Sequence, residues 1–174
     1  MLDTAYTFQK EKKYDKAIET YNQVIKRTRK LQLPFYNRGI IYMELEKYNE
    51  ALVDFNTVLS LQPDQNGIIL VMNPNSPFAS EKDRCQVPRL DVMYQIAQAN
   101  YYMDSLRSAL NGFQTLIANN YEEKSNCLLW AGTIMIRYGK KEKACEYFNS
   151  AKLAAITSED ITEADRIFNE NCGK

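Results

Sequence analysis

The chain repeats itself. Shifted by 34 positions, its first stretch lays Ala5 on Gly39, Phe8 on Tyr42, Tyr14 on Tyr48, Ala17 on Ala51, Tyr21 on Phe55 and Val24 on Val58. Matches of like size at a single shift point to an array, in which each unit buries its apolar face against the next. A third copy is marked by Ala97, Ala109 and Phe113, and a fourth by Gly132, Gly139, Ala144, Phe148 and Ala151. Ala17 to Ala51 spans 34 residues and Ala109 to Ala144 spans 35, but Ala51 to Ala109 spans 58. The excess is an insertion of 24 residues.

Each copy reads as two helices. In the second, Pro34 sits in a first turn, where a missing N–H leaves no bond unmade. A break at Glu46-Lys47 separates the helices, and Pro63 stops the second after Leu61. A small residue in the first helix faces a small one in the second, Gly39 with Ala51 or Gly132 with Ala144, which lets the axes approach. The ring at Tyr21, Phe55, Phe113 or Phe148 is expected to fill the gap to the next pair.

Composition narrows the chemistry. The 174 residues hold 22 basic and 22 acidic side chains and no histidine. Serine–histidine and cysteine–histidine catalysis, histidine-ligated zinc and imidazole switching all need a residue the sequence lacks. A balanced charge argues against nucleic acid, whose binding rests on clustered Lys and Arg. The cluster Lys26, Arg27, Arg29 and Lys30 reads as a solvated helix end that complements the dipole. The longest apolar run, Ile68 to Met72, is far below the roughly 20 residues of a membrane span. Cys85, Cys127, Cys145 and Cys172 show no CxxC or zinc spacing, and with no export signal in view they are expected as reduced thiols. No carboxylate pair, nucleophile–base pair or phosphate loop stands at a useful spacing. The expectation is a cytoplasmic chain that is not an enzyme and takes no cofactor and no metal.

The second copy resembles the tetratricopeptide repeat (TPR) family through Phe35-Tyr36-Asn37-Arg38-Gly39-Ile40-Ile41-Tyr42, Tyr48-Asn49-Glu50-Ala51, Phe55 and Pro63. The first and fourth copies fit well. The third departs, with Leu106 at the usual tyrosine and the helix-A tyrosine displaced to Tyr101. The Lys143-Ala144-Cys145 turn and the terminal cysteine look like those of small bacterial members. The resemblance covers about four-fifths of the chain. It implies an all-α, right-handed α-solenoid of about four helix pairs plus a C-terminal capping helix. Residues 1–174 form one domain in this reading, with repeats at about 1–31, 32–65, 90–123 and 125–158. Met1 falls at the fourth family position, so the first repeat begins slightly short. The cap is expected at about 158–172, where Thr157-Ser158 precede Glu159 and Asp160 and Ile161, Ala164, Ile167 and Phe168 recur at helical spacing.

The insertion, 66–89, joins the turn signal Asn66-Gly67 to the apolar Ile68–Met72 and the helix-hostile Asn73-Pro74-Asn75-Ser76-Pro77. Its apolar run is expected to pack, by extending the preceding helix or folding over the stack as a structural cover, as a segment lying in the groove, or as a contact in a homodimer.

In function the resemblance implies a protein-binding scaffold whose ligand face is lined by first-helix side chains. Carried over, that partner-binding groove is Tyr6, Leu33, Tyr36, Ile40, Met43, Tyr94, Gln98, Tyr101, Tyr102, Leu129 and Arg137. Five of the 12 tyrosines fall there, which makes a tyrosine-rich, apolar face with few charges suited to a peptide or helix of a partner protein. The clamp that holds acidic chaperone tails is a poor match. Its positions carry Leu2, Tyr6, Asn37, Asp91 and Gln95, or, one repeat later, Tyr36, Ile40, Gln95, Asn126 and Trp130. A dedicated chaperone or inhibitor for one partner (a secretion chaperone or a toxin-neutralising protein) and a self-assembling module are the alternative roles.

Overall fold

The structure, a computed structural model, describes residues 1–62 and 85–173. Among these residues there are nine helices and no strand. They are α1 (Leu2–Lys10), α2 (Tyr14–Arg27), α3 (Gln32–Glu44), α4 (Tyr48–Ser60), α5 (Arg89–Tyr102), α6 (Leu106–Ala118), α7 (Lys124–Arg137), α8 (Lys141–Ala154) and α9 (Ser158–Cys172). The fold is all-α, of the helix-pair solenoid class. The chain divides into two compact units, Met1–Ala99 and Asn100–Lys174, and the division falls inside α5. No described helix is long and apolar enough to cross a membrane. The apolar run Ile68–Met72, and with it the three readings of the insertion, lies outside the described residues.

Each pair turns in the same way. Lys12, Glu46 and Asp104 hold positive φ of 57°, 58° and 60°, and Gly139 holds 70°. Each closes its helix with one hydrogen bond to a carbonyl three residues back, as Glu46 N–H does to Met43 and Gly139 N–H to Ile136. The next residue then reaches five back, as Lys47 does to Tyr42 and Lys140 to Met135. Only the last of the four turns uses glycine, although the conformation disfavours any side chain.

In the first unit α1 packs on α2, α3 on α4, and α3 also on α2 and α1. One core joins Ala5, Ala17, Tyr21 and Ile41, and a second joins Ala51, Phe55, Val58, Val87 and Val92. The ring of Phe55 covers the glycine of its own pair: a Cβ on Gly39 would stand 2.7 Å from Phe55 Cε1. The same ring shares its core with Val92 of α5, and Phe113 stacks on Trp130 of α7, so these rings reach the next pair as expected and also cover the close approach within their own. Arg38 threads between helices, donating to both Asp54 oxygens at 2.7 and 2.6 Å and to Asn22 of α2. Leu33 N–H, left free at the start of α3, donates to Cys85 O at 3.0 Å. Val87 N–H donates to the buried Gln32 Oε1, and Gln62 Nε2 donates to Val87 O. The chain just before α5 is thereby tied to the start of α3 and to the turn that follows α4.

In the second unit α7 packs on α6, α8 and α9, and eight of its residues are buried. A Cβ on Gly132 would stand 2.3 Å from Phe148 Cε1, a tighter copy of the Gly39 contact. Thr157 caps α9 by accepting from Asp160 N–H at 3.1 Å. The expectation of four thiols is corrected: Cys145 of α8 and Cys172 of α9 form a disulfide with Cα atoms 5.8 Å apart. A search for local cysteine spacing misses it because the helical hairpin brings together residues 27 apart. Cys85 and Cys127 are buried and take no part in a disulfide, and burial pushes the Cys127 thiol up to about 12.

Candidate functional site: a polar pocket on α1 and α3

The first turn of the first unit sets one wall of the site. Because Lys12 takes the left-handed conformation, the chain reverses between α1 and α2 and brings Tyr14 over to α3. Tyr14 Oη donates to Glu44, and that carboxylate raises the phenol above its ordinary value. Together with Tyr6, Gln9, Lys10, Asn37 and Ile40, these residues line a surface pocket of about 370 Å³. Lys10 lies 5.5 Å from the ring centre of the exposed Tyr6. The floor is fixed from below. Fully buried Tyr21 donates to Gln9 Oε1 at 2.9 Å and is hydrogen-bonded by Asn37, and burial pushes its phenol up to about 12. Two amides are thus oriented from the core while their remaining polar groups serve the surface.

The residues expected to form the groove fall in both units. In the first, Tyr6 and Ile40 line the pocket. Leu33, Tyr36 and Met43 are half-buried and pack on the Phe55 core. Tyr36 lies 5.8 Å from the Phe55 ring centre, and burial beside Asp91 pushes its phenol up to about 12. Tyr94 and Gln98 are half-buried on α5. In the second unit Tyr101 and Tyr102 join an aromatic cluster. Leu129 is buried, a correction to its groove assignment, because α7 is packed by three helices and has little free face. Arg137 is part-exposed, pairs with Asp104 at 2.6 Å and lies 5.4 Å from the Tyr101 ring centre.

Gln9, Lys10 and Glu44 stand at first-helix positions of the same face, whereas the pocket residues Lys12, Tyr14 and Asn37 were not among those expected. No local signal singles out Asn37, but the register shows what stands at its position in the second unit. Where Gly39 lies on Gly132 and Phe55 on Phe148, Asn37 falls on Trp130 and Glu44 on Arg137. Where Ala17 lies on Ala109, Gln9 falls on Tyr101, Lys10 on Tyr102 and Lys12 on Asp104. The indole of Trp130 stacks on Phe113 at 5.8 Å and meets Tyr101 and Tyr102 edge-on at 4.8 and 5.9 Å. The second unit therefore carries aromatic rings at the positions where the first has its pocket, and the flanking charges are of reversed sign.

A second surface pocket, of about 540 Å³, is lined by Asn126, Ser158, Glu159, Asp160, Thr162 and Glu163 at the start of α9. Among the described residues no group of three or more Cys, Asp or Glu is placed to hold a metal ion.

Known proteins resemble the chain in sequence and in fold. Residues 1–27 and 34–65 match tetratricopeptide repeat families. A TPR repeat-containing protein of Methanocaldococcus jannaschii is 25% identical in an alignment 150 residues long that covers 78% of this chain and 26% of that protein. The chain thus spans about a quarter of the length of the curated relative it matches. Among solved structures, MamA superposes with a TM-score of 0.65 at 18% identity, over 99% of this chain and 95% of that one. A MamA fragment from Desulfovibrio magneticus gives 0.66 at 14% identity, over 98% and 90%. The nearly identical TPR-like repeats from Podosopora anserina give 0.66 at 13%, over 98% and 82%. At such identities the likeness speaks for the fold. The repeat matches and the helix pairs described above agree: the chain carries tetratricopeptide repeats at residues 1–27 and 34–65, in a fold shared with known repeat proteins.

Proposed function

We propose that this chain is a protein-binding scaffold that takes a peptide segment of its partner on the first-helix face of the first unit, anchored in the α1–α3 pocket. Repeats of this family are protein-interaction modules, and the finer reading rests on one observation. A small, oriented amide stands at Asn37 where the equivalent position of the second unit carries a stacked indole. The pocket favours a segment with both polar and apolar contacts. Asn37 and Gln9 offer amide groups to a peptide backbone, Ile40 and Tyr6 offer apolar area, and Lys10 and Lys12 stand across from Glu44. Tyr36, by contrast, serves the core, so replacing it tests folding rather than binding.

The test is to select ligands for the full chain from a displayed random-peptide library and measure their affinities by calorimetry. Asn37→Ala is expected to weaken binding about tenfold, roughly the 1.4 kcal/mol of one lost buried hydrogen-bonding anchor. Tyr6→Ala, at an exposed pocket residue, should weaken it as well, and Tyr102→Ala should leave it within about twofold. Circular dichroism should show all three variants folded. Equal affinity across the set would place the binding surface elsewhere.

A further inference from the structure

The last helix is fastened covalently at its far end and only lightly along its length. Of the 15 residues of α9, Ala164 is the one that is buried. Ile161 is 45% exposed, and the approach to the helix carries Leu153 and Ile156 at 82% and 83%. Lys152 of α8 supplies two of its contacts, an ion pair with Asp165 at 2.8 Å and a position 4.6 Å from the Phe168 ring centre. Both members of that ion pair are part-exposed, where such pairs hold weakly. Other bonds of α9 are internal to it. Thr157 caps its first turn, and Arg166 pairs with Glu163 and Glu170 one turn either way. These stabilise α9 as a helix whether or not it is docked. The disulfide to Cys145 is made by Cys172, the last residue of the helix.

We propose that the Cys145–Cys172 bond is a redox-operated latch that keeps α9 docked on α8, and that its reduction lets α9 leave while the helix pairs before it stay folded. Both cysteines are only half-buried, so a reductant can reach the bond. A dithiol reductant opens it in two exchanges. Its thiolate attacks one protein sulfur, forming a mixed disulfide and expelling the other cysteine as a thiolate, which takes up a proton. The reductant's second thiol, as its thiolate, then displaces the first cysteine and closes the reductant into its own disulfide. Two electrons and two protons have passed to the protein, leaving two thiols.

The test is hydrogen–deuterium exchange on the full chain, oxidised and then treated with dithiothreitol, read peptide by peptide. Alkylation without reductant, followed by mass spectrometry, should leave Cys145 and Cys172 unmodified and linked. On reduction, exchange across residues 158–172 should quicken about tenfold or more while α1–α7 keep their protection. The C145S/C172S variant should show the fast pattern from the start and ignore the reductant. Unchanged protection of α9 on reduction would overturn the proposal, since packing alone would then hold the helix. So would acceleration spread through α7, since the bond would then brace the unit as a whole. Alkylation of both cysteines without reductant would overturn it as well.

Discussion

Asn22, Arg38 and Asp54 in the first unit occupy the same repeat positions as Gln114, Ala131 and Tyr147 in the second. In the first, a guanidinium 18% exposed is paired to a carboxylate 2% exposed, with Asn22 on its other side. In the second, Ala131 removes the charge, and Gln114 Nε2 donates to Tyr147 Oη at 2.9 Å near the surface. The neighbouring ring changes in step. Tyr21 hydrogen-bonds Gln9, while Phe113 stacks on Trp130. The two units share their small-residue contacts and their turns, yet one fills the space between with polar bonds and the other with rings. The repeat dictates where helices touch, and the chemistry between those touches is free to vary. That freedom is what can make one surface a pocket and the other a filled face.

The contrast is broken most severely by removing one member of the buried ion pair. Asp54→Ala should cost about 3 kcal/mol in urea unfolding, because Arg38 keeps its charge and loses its partner. Tyr147→Phe, which removes only an exposed hydrogen bond, should cost about 0.5 kcal/mol or less. Similar costs for the two would erase the distinction. Burial pushes the Asp54 carboxyl above its ordinary range, and the Arg38 hydrogen bonds hold part of that rise back.

Alkali comes next; Tyr36 and Cys127 are also pushed up to about 12, so both units weaken, and a Tyr21→Phe variant isolates one phenol's share. The folded Tyr21 phenol is raised from 10.0 to about 12, so the native state holds that proton more tightly than the unfolded chain does. Its contribution is fully present below pH 10 and is lost as pH rises from there through about 12. The loss at the upper limit is roughly 2 kcal/mol. Thermal unfolding followed from pH 9 upward, beside Tyr21→Phe, measures it. The variant should lose less stability over that range, since a phenylalanine, as at Phe113, has no proton to give up.

The shared glycine contact gives a smaller and graded effect. Gly132→Ala must displace the buried Phe148 ring, and Gly39→Ala the Phe55 ring by less. Overpacking offset by helix propensity leaves a net cost of about 1.5 kcal/mol for the first and about 0.5 kcal/mol for the second. The reverse order in melting temperature would mean that the two contacts are not copies. The smallest change runs the other way. Glu46→Gly gives the left-handed turn the residue that Gly139 already supplies, and stability should rise by about 0.5 kcal/mol.

Much of this fold can be read from spacing alone. Ala5, Gly39, Ala51, Gly132 and Ala144 mark close contacts in any α-hairpin array, since only small residues let two helices approach. The turns at Glu46-Lys47 and Gly139 are equally local. The site was less legible. Tyr6 and Ile40 line the pocket, but Leu129 went to the core because α7 is covered by three helices, a fact of packing rather than of repeat position. Lys12 reached the pocket through a backbone conformation that lysine rarely adopts.

The sequence by itself determined the helix pairs, their turns and their small-residue contacts, because each depends on residues within one repeat or at a fixed shift from it. Tertiary structure alone decided that Asn37 borders a pocket while Trp130 stacks among rings, and that Cys172 meets Cys145. Those outcomes depend on which side chains from separate helices converge on one point. Convergence is set by how the helices pack, and no spacing along the chain records it.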